Sequence, residues 1–352
     1  MSVNWPMLQW GGHRIFRGRS PDVRNVAERE WVICPEETAP TRPAIYPDGA
    51  LERITDLSPW RKWEVEQGLI RGDPIEHAAT RAHRIGNAAI AGAFIYRGGA
   101  KSRHGYGKER LFDTTLGPCR HLETVHIVSN FAGSNYFGNF LLDDMPLGMI
   151  PEEDAPTAVM VTRNYEDEGG YRALLDLPRP QRLRHARIGE LIVYTDFAQN
   201  SFKLARYRAL RDRLRRHFPA QAGQQRPLVY LKRGATGVRR LIENEAELEE
   251  MLARAGFDIV EPSALSVPEV ARRTLGAGLV ISVEGSHLSH VIYSMADDGA
   301  FLVLQPPNRF AMAYKEFADR MDMPFGFVVG TLVPGGFRVD LPELQRMIGK
   351  MT

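Results

Sequence analysis

Residues 226 to 306 constrain the fold more than any other part of the chain, because strand-length apolar runs alternate there with helical patterns. RPLVYLKRG reads as a strand. ENEAELEEMLARAG reads as a helix with acidic residues early, Arg254 late and Gly256 as its stop. FDIVEP is a second strand, VPEVARRTLGAG a helix with Pro268 near its start, and LVISVEG a third strand. SHLSHVIYSMA follows as a helix and FLVLQPP as a fourth strand. This β-α-β-α-β-α-β order predicts a parallel sheet with right-handed crossovers. Such sheets bind ligands at the carboxyl ends of their strands. Those ends are Lys232-Arg233-Gly234, Glu261-Pro262-Ser263, Glu284-Gly285-Ser286 and Gln305-Pro306.

The first 120 residues are irregular and rich in Pro and Gly. AAIAGAFIYRGG reads as a strand pair or a strand and turn, and ETVHIVSN, APTAVMVT and IGELIVYT as further strands. NYFGNFLLDDMPLGMI carries a helical stripe, capped by Ser134 or Asn135, that Pro146 ends or kinks; YRALLDL is a short helix. QNSFKLARYRALRDRLRRHF is a basic amphipathic helix. Helices of that kind can lie on anionic lipid or a polyanionic acceptor, although a solvated face is the commoner outcome. FPAQAGQQRP then reads as a linker. With 352 residues, two domains are the better prior. The expected division is an N-terminal domain over 1–220, a Rossmann-like domain over 221–335 and a C-terminal helix over 336–352.

A net charge of +2 argues against a nucleic-acid binder. Cys34 and Cys119 stand in no metal or redox spacing and read as free thiols. No apolar run has the length of a signal core or a membrane span, so a cytoplasmic protein is expected, with a peripheral contact at the inner membrane left open.

Candidate chemistry gathers at two places. In KRGATGVRR, Arg233 and the pair Arg239 and Arg240 could clamp a diphosphate, or pair with Glu243 or Glu245. The Glu284-Gly285-Ser286-His287 turn allows close backbone approach at Gly285, a cap at Ser286 and a phosphate beside His287. His290 reads as a packed or surface histidine, and Glu284 as a carboxylate that repels an anion unless it binds hydroxyls. Walker A and G-x-G-x-x-G spacings are absent. In the N-terminal half, Asn139 and Asp143 are four apart and share a helix face, which makes Asp143 a candidate general base. Asp144 and Glu284 are its reserves, while a hydrated or Arg-paired acidic face is the plainer reading.

NYFGNFLLDDMP resembles the N-Y-x-H-[WF]-L-L-[DE]-x-L-P signature of the family 61 glycosyltransferases, which include capsular-polysaccharide-type enzymes. The stretch from LVYLKRG to FLVLQ is similar to that family's second signature. There a strand ends in Ser-Arg, and Arg-Arg, Asn-Glu-x-Glu-Leu, a G-x-H-G-A-G-L-x-N turn and a Val-x-Glu strand follow. Arg233, Arg240, Asn244, Glu245, Gly285, Leu288, Asp143 and Pro146 fit the pattern. The family's histidines are replaced by Asn139 and Glu284, a glycine by His287, and the closing glutamate by Gln305. The resemblance implies an α/β, GT-B-like fold: two Rossmann-like domains with an interdomain cleft. It also implies an inverting, metal-independent transfer from a nucleotide-sugar to a glycan or other hydroxyl acceptor, with no cofactor beyond that co-substrate. Donor binding would fall to Arg233, Arg240, Asn244, Gly285, Ser286, His287 and Gln305, substrate binding to Asn139, and catalysis to Asp143, Asp144 or Glu284. The replaced histidines favour an alternative, a catalytically inactive glycosyltransferase-like binding or scaffold protein.

Overall fold

A computed structural model describes residues 1–219, 225–234 and 240–352. Arg239 and part of the expected linker, residues 220–224, lie outside the described residues. The chain forms two compact units, Met1–Glu36 with Ala78–Arg206, and Glu37–His77 with Tyr207–Thr352.

The first unit is built on a mixed sheet of eight strands. They are β1 (Arg29–Cys34), β2 (Thr80–Ala91), β3 (Phe94–Arg97), β4 (Ala100–Arg103), β5 (Arg120–Ile127), β6 (Thr157–Val159), β7 (Gln181–Arg182) and β8 (His185–Thr195). Their order is β7-β6-β5-β8-β2-β3-β4, with β1 paired to β2. AAIAGAFIYRGG resolves into the antiparallel turn from β2 to β3, as its pattern implies. β8 runs antiparallel to β2 from His185 opposite Ala91 to Thr195 opposite Arg81. Ile85, Ile90, Val125, Ile127, Ile188, Leu191 and Val193 form its core. Helix α1 (Trp5–Arg17) opens with Asn4, whose side chain accepts from the Met7 amide. Helix α2 (Ser201–Arg216) spans the division between the units, which falls after Arg206.

The second unit carries the parallel sheet that the alternation predicts. Its strands are β9 (Leu228–Leu231), β10 (Phe257–Val260), β11 (Leu279–Val283), β12 (Ala300–Gln305) and β13 (Phe325–Val329), ordered β10-β9-β11-β12-β13 with every pairing parallel. Every residue of β11 and β12 is buried, as their continuous apolar runs require in a sheet covered on both faces. Helices α3 (Glu245–Arg254) and α4 (Val267–Thr274) are the crossovers. A capping box between Ser266 and Glu269 opens α4. The alternation runs one unit beyond the expected fourth strand, through α5 (Lys315–Arg320) to β13, and the unit ends in α6 (Leu341–Met351). After β9 the chain moves to one side of that strand, and after β10 it returns to the other. The strand order therefore reverses between β9 and β11, where open α/β sheets hold their ligands.

SHLSHVIYSMA forms a six-residue 3-10 helix, Ser286–Val291, rather than the expected α-helix. Its bonds run i to i+3, from the Leu288 amide to Gly285 and from Ile292 to Ser289. Gly285 occupies the cap position, so Ser286 makes no capping bond and points to solvent. So short a helix contributes little dipole, and an anion seat here must come from side chains.

Candidate functional site

The turn after β11 is shaped by Gly285, whose φ of 152° lies where residues with a Cβ are strained. A Cβ built there would collide with Nη1 of Arg233, lie 2.8 Å from Nη1 of Arg240 and lie 3.1 Å from Nδ1 of His287. Two guanidinium groups, one from the end of β9 and one from the loop that follows, thus converge on the backbone at the point where strand order reverses. Burial and the neighbouring Arg240 bring Arg233 down to about 10, and burial also lowers Arg240. Both remain cationic near neutrality in a region that gains from an incoming anion.

His287 is fixed in one tautomer. Arg233 Nη1 donates to its Nδ1 at 3.2 Å, because a guanidinium can only donate. Ser282 Oγ donates to the Leu231 carbonyl at 2.5 Å, so it accepts from His287 Nε2–H at 2.6 Å. Burial and Arg233 hold the imidazole well below its ordinary value, in keeping with this neutral form.

Glu284 lies 2.9 Å from Arg240 Nη2 through an oxygen, Oε2, too poorly aligned for a hydrogen bond and without another such partner. Burial raises its carboxyl even though Arg240, Arg309 and Arg233 oppose the shift. Arg240 therefore faces Glu284, while Glu243 pairs with Arg338 at 2.5 Å and Glu245 accepts from Tyr230 at 3.2 Å. Arg309 escaped the sequence reading, since a lone arginine past Pro306-Pro307-Asn308 carries no local signal. With Arg240, Pro306 and Phe337 it lines an open cavity of about 440 Å³. Tyr314, also missed, donates to the Ser286 carbonyl at 3.1 Å and holds the turn.

Asn244 and Gln305 have other work. The Asn244 amide donates to the Val339 carbonyl at 2.9 Å and accepts from its amide at 3.0 Å. Gln305 is fully buried and spans a loop, donating to the Ala311 carbonyl at 2.7 Å and accepting from its amide at 3.2 Å. His290 is a packed histidine, held down to about 3 by burial.

In the first unit, the acidic pair sits on a broken helix of Phe131–Asn135, Phe137–Asn139, a π turn Phe140–Asp144 and Met145–Leu147. The cap is Asn130, accepting from Gly133 N at 2.9 Å, and not the expected Ser134 or Asn135. Asn139 donates to Asp143 Oδ2 at 2.8 Å, as their spacing predicts. Lys203, fully buried on α2, donates to Asp143 Oδ1 at 2.5 Å and to the Asp196 carbonyl at 2.8 Å. Asp144 accepts from Asn130 N at 3.0 Å, leaves Oδ2 without a hydrogen bond and presses on Gly133. Burial, reinforced by Asp143, raises the Asp144 carboxyl well above its usual range.

The basic helix keeps a solvated face with Arg208 and Arg216 exposed, but three of its basic residues turn inward. Beside Lys203, Arg206 holds Asp196 through two 2.8 Å bonds. Arg211 is fully buried on the carbonyls of Ile292 and Met295 and on Asp297. Asp297 lies in the turn before β12, as expected, and from the surface pairs with Arg211 and Arg215.

These observations define an α/β protein with a cationic seat at the switch point of a parallel sheet. A protein-family model described as Glycosyltransferase 61 matches residues 137–302, just under half of the chain, and supports membership of that family. That family is one of glycosyltransferases, whose general partners are a sugar donor and an acceptor. The match takes in both clusters, from Asn139 to His287, and stops short of Gln305. No curated protein matches the chain. Among the described residues, no three His, Cys, Asp or Glu side chains group to hold a metal ion, and no helix is long and apolar enough to cross a membrane.

Proposed function

We propose that the protein is an inverting glycosyltransferase that moves a sugar from a nucleotide-sugar to a hydroxyl of a glycan or similar acceptor, in surface polysaccharide biosynthesis. The second unit acts as the donor-binding half of a GT-B-type enzyme, and the first serves the acceptor. The observation that carries this reading is the convergence of Arg233 and Arg240 on Gly285 at the switch point. A diphosphate laid there meets two guanidinium groups, which stabilise the charge that grows on the leaving nucleotide as the glycosidic bond breaks. His287, kept neutral, orients Arg233.

Inversion also needs a base for the acceptor proton. Of the three carboxylates, Glu284 and Asp144 each keep an oxygen without a hydrogen bond and only Glu284 adjoins the seat, whereas both oxygens of Asp143 are engaged. Glu284 is therefore the first base to test.

Calorimetric titration with uridine, guanosine, cytidine and thymidine diphosphates tests the donor seat. One of them binds, and Arg233→Ala weakens it about tenfold or more, the scale of a lost charge-assisted hydrogen bond. Failure of all four to bind sinks the proposal. With the donor found, Glu284→Gln retains binding and loses transfer. Binding without turnover by the native chain supports instead the inactive binding protein, a reading favoured by the engagement of Asp143 with Lys203.

A further inference from the structure

Of the strand ends that the sequence marks, the one after β10 has no part in the anion seat. Glu261 stands there, ahead of a short 3-10 turn, Pro262–Ala264. Its Oε1 accepts from Ser263 Oγ at 3.0 Å. Among the described residues, Oε2 accepts no hydrogen bond and no cation pairs with the carboxylate. Lys232 and Glu245, which lie within reach of its charge, are matched elsewhere. Lys232 holds Glu249 at 2.7 Å, and Glu245 accepts from Tyr230 at 3.2 Å.

Glu261 is fixed against the seat. β10 pairs with β9 and β9 with β11, so Val260, Leu231 and Ser282 stand level at three adjacent strand ends. A Cβ built on Gly234 would collide with Ser263 Oγ and lie 3.2 Å from Glu261 Oε1. The residue after Arg233 therefore rests directly on the Glu261–Ser263 pair. At about 4.8 Å per strand, Glu261 and Gly285 stand roughly 10 Å apart across the sheet, a distance that a ribose joined to two phosphates spans.

The two ends of that span differ in chemistry. Arg233 and Arg240 can only donate hydrogen bonds, which suits phosphate oxygens. A carboxylate only accepts them, so it repels phosphate and suits hydroxyls. We propose that Glu261 binds the 2′- and 3′-hydroxyls of the donor's ribose, so that the protein takes a ribonucleotide in preference to a 2′-deoxyribonucleotide such as thymidine diphosphate. One hydroxyl donates to the open Oε2 and the other to the second lone pair of Oε1. The diphosphate then runs across β9 to Arg233, Arg240 and Gly285. This inference rests on the nucleotide-sugar reading of the seat and narrows it.

The test is calorimetric titration of the full chain with uridine, guanosine and cytidine diphosphates, each beside its 2′-deoxy form. The nucleotide that binds loses about tenfold in affinity with its 2′-hydroxyl, the scale of one hydrogen bond to a charged acceptor. Glu261→Ala weakens the ribose form by at least about tenfold and the 2′-deoxy form by less, so the gap between them closes. Glu261 is half-buried and Ser263 exposed, so the variant keeps the native circular dichroism and melting midpoint. The comparison on the native chain needs no variant. Equal binding of the ribose and 2′-deoxy forms, or a gap that persists in Glu261→Ala, overturns the inference and leaves the donor seat standing. Failure of every nucleotide to bind instead removes the seat, and the inference with it.

Discussion

Replacing Lys203 by methionine removes the ammonium group that Asp143 faces and keeps most of the aliphatic stem. Lys203 is fully buried, 2.5 Å from Asp143 Oδ1, and Asp143 is itself almost completely enclosed. Removing one partner of a buried pair strands the other charge in a low-dielectric interior, at a cost of roughly 3–5 kcal/mol. At about 2–4 °C per kcal/mol for a unit of this size, the midpoint of the first unit falls by on the order of 10 °C. Lys203→Met with Asp143→Leu removes both charges. The double variant regains most of the loss, because an apolar pair of similar volume replaces a buried ion pair at little net cost. The assay is urea unfolding of the single and double variants, followed by signals from the first unit at constant m. A single-variant loss below about 1 kcal/mol, or a double variant no better than the single, would refute the reasoning that the pair ties α2 to the broken helix.

Two further outcomes follow from the second unit. Gly285→Ala forces a Cβ into φ 152° and against both guanidinium groups, so nucleotide affinity falls at least about tenfold and stability by about 1–3 kcal/mol; unchanged affinity in the same titration would remove Gly285 from the seat. His290 takes up its proton near 6.5 when unfolded but only near 3 when folded. The unfolded chain therefore binds the proton first, so stability is full above pH 6.5 and declines as pH falls toward 3, by at most about 1.4 kcal/mol per pH unit from this group. His290→Gln makes the acid limb of unfolding free energy against pH shallower, and an unaltered slope contradicts the assignment.

The parallel sheet was legible because each strand is a continuous apolar run bounded by turn residues, a pattern that survives in one dimension. Asn139 and Asp143 were legible for the same reason, since a spacing of four fixes a shared helical face. The tautomer of His287 was not. It depends on Ser282 and Arg233, which different strands bring to the histidine, and no local pattern encodes that meeting. Arg309 and Tyr314 were silent in the sequence because each acts through a turn distant in the chain. The basic helix misled for a related reason. Its charges suggest a wet face, which Arg208 and Arg216 provide, but the burial of Lys203 and Arg211 is decided by what packs against them, and charge alone does not report the partner.

By itself the sequence determined the alternation in the second unit, the family resemblance carried by its signatures and the two stretches where candidate residues gather. Those depend on periodicity and on order along the chain. Only tertiary structure decided that two arginines converge over Gly285 and that no α-helix end stands there, because a six-residue 3-10 turn replaces the expected α-helix. It also decided that Asp143 is held by Lys203 while Glu284 keeps an oxygen without a hydrogen bond. Whether a carboxylate oxygen accepts a hydrogen bond follows from how the fold aims its neighbours: Arg240 Nη2 lies 2.9 Å from Glu284 Oε2 as an ion pair without the alignment of a hydrogen bond.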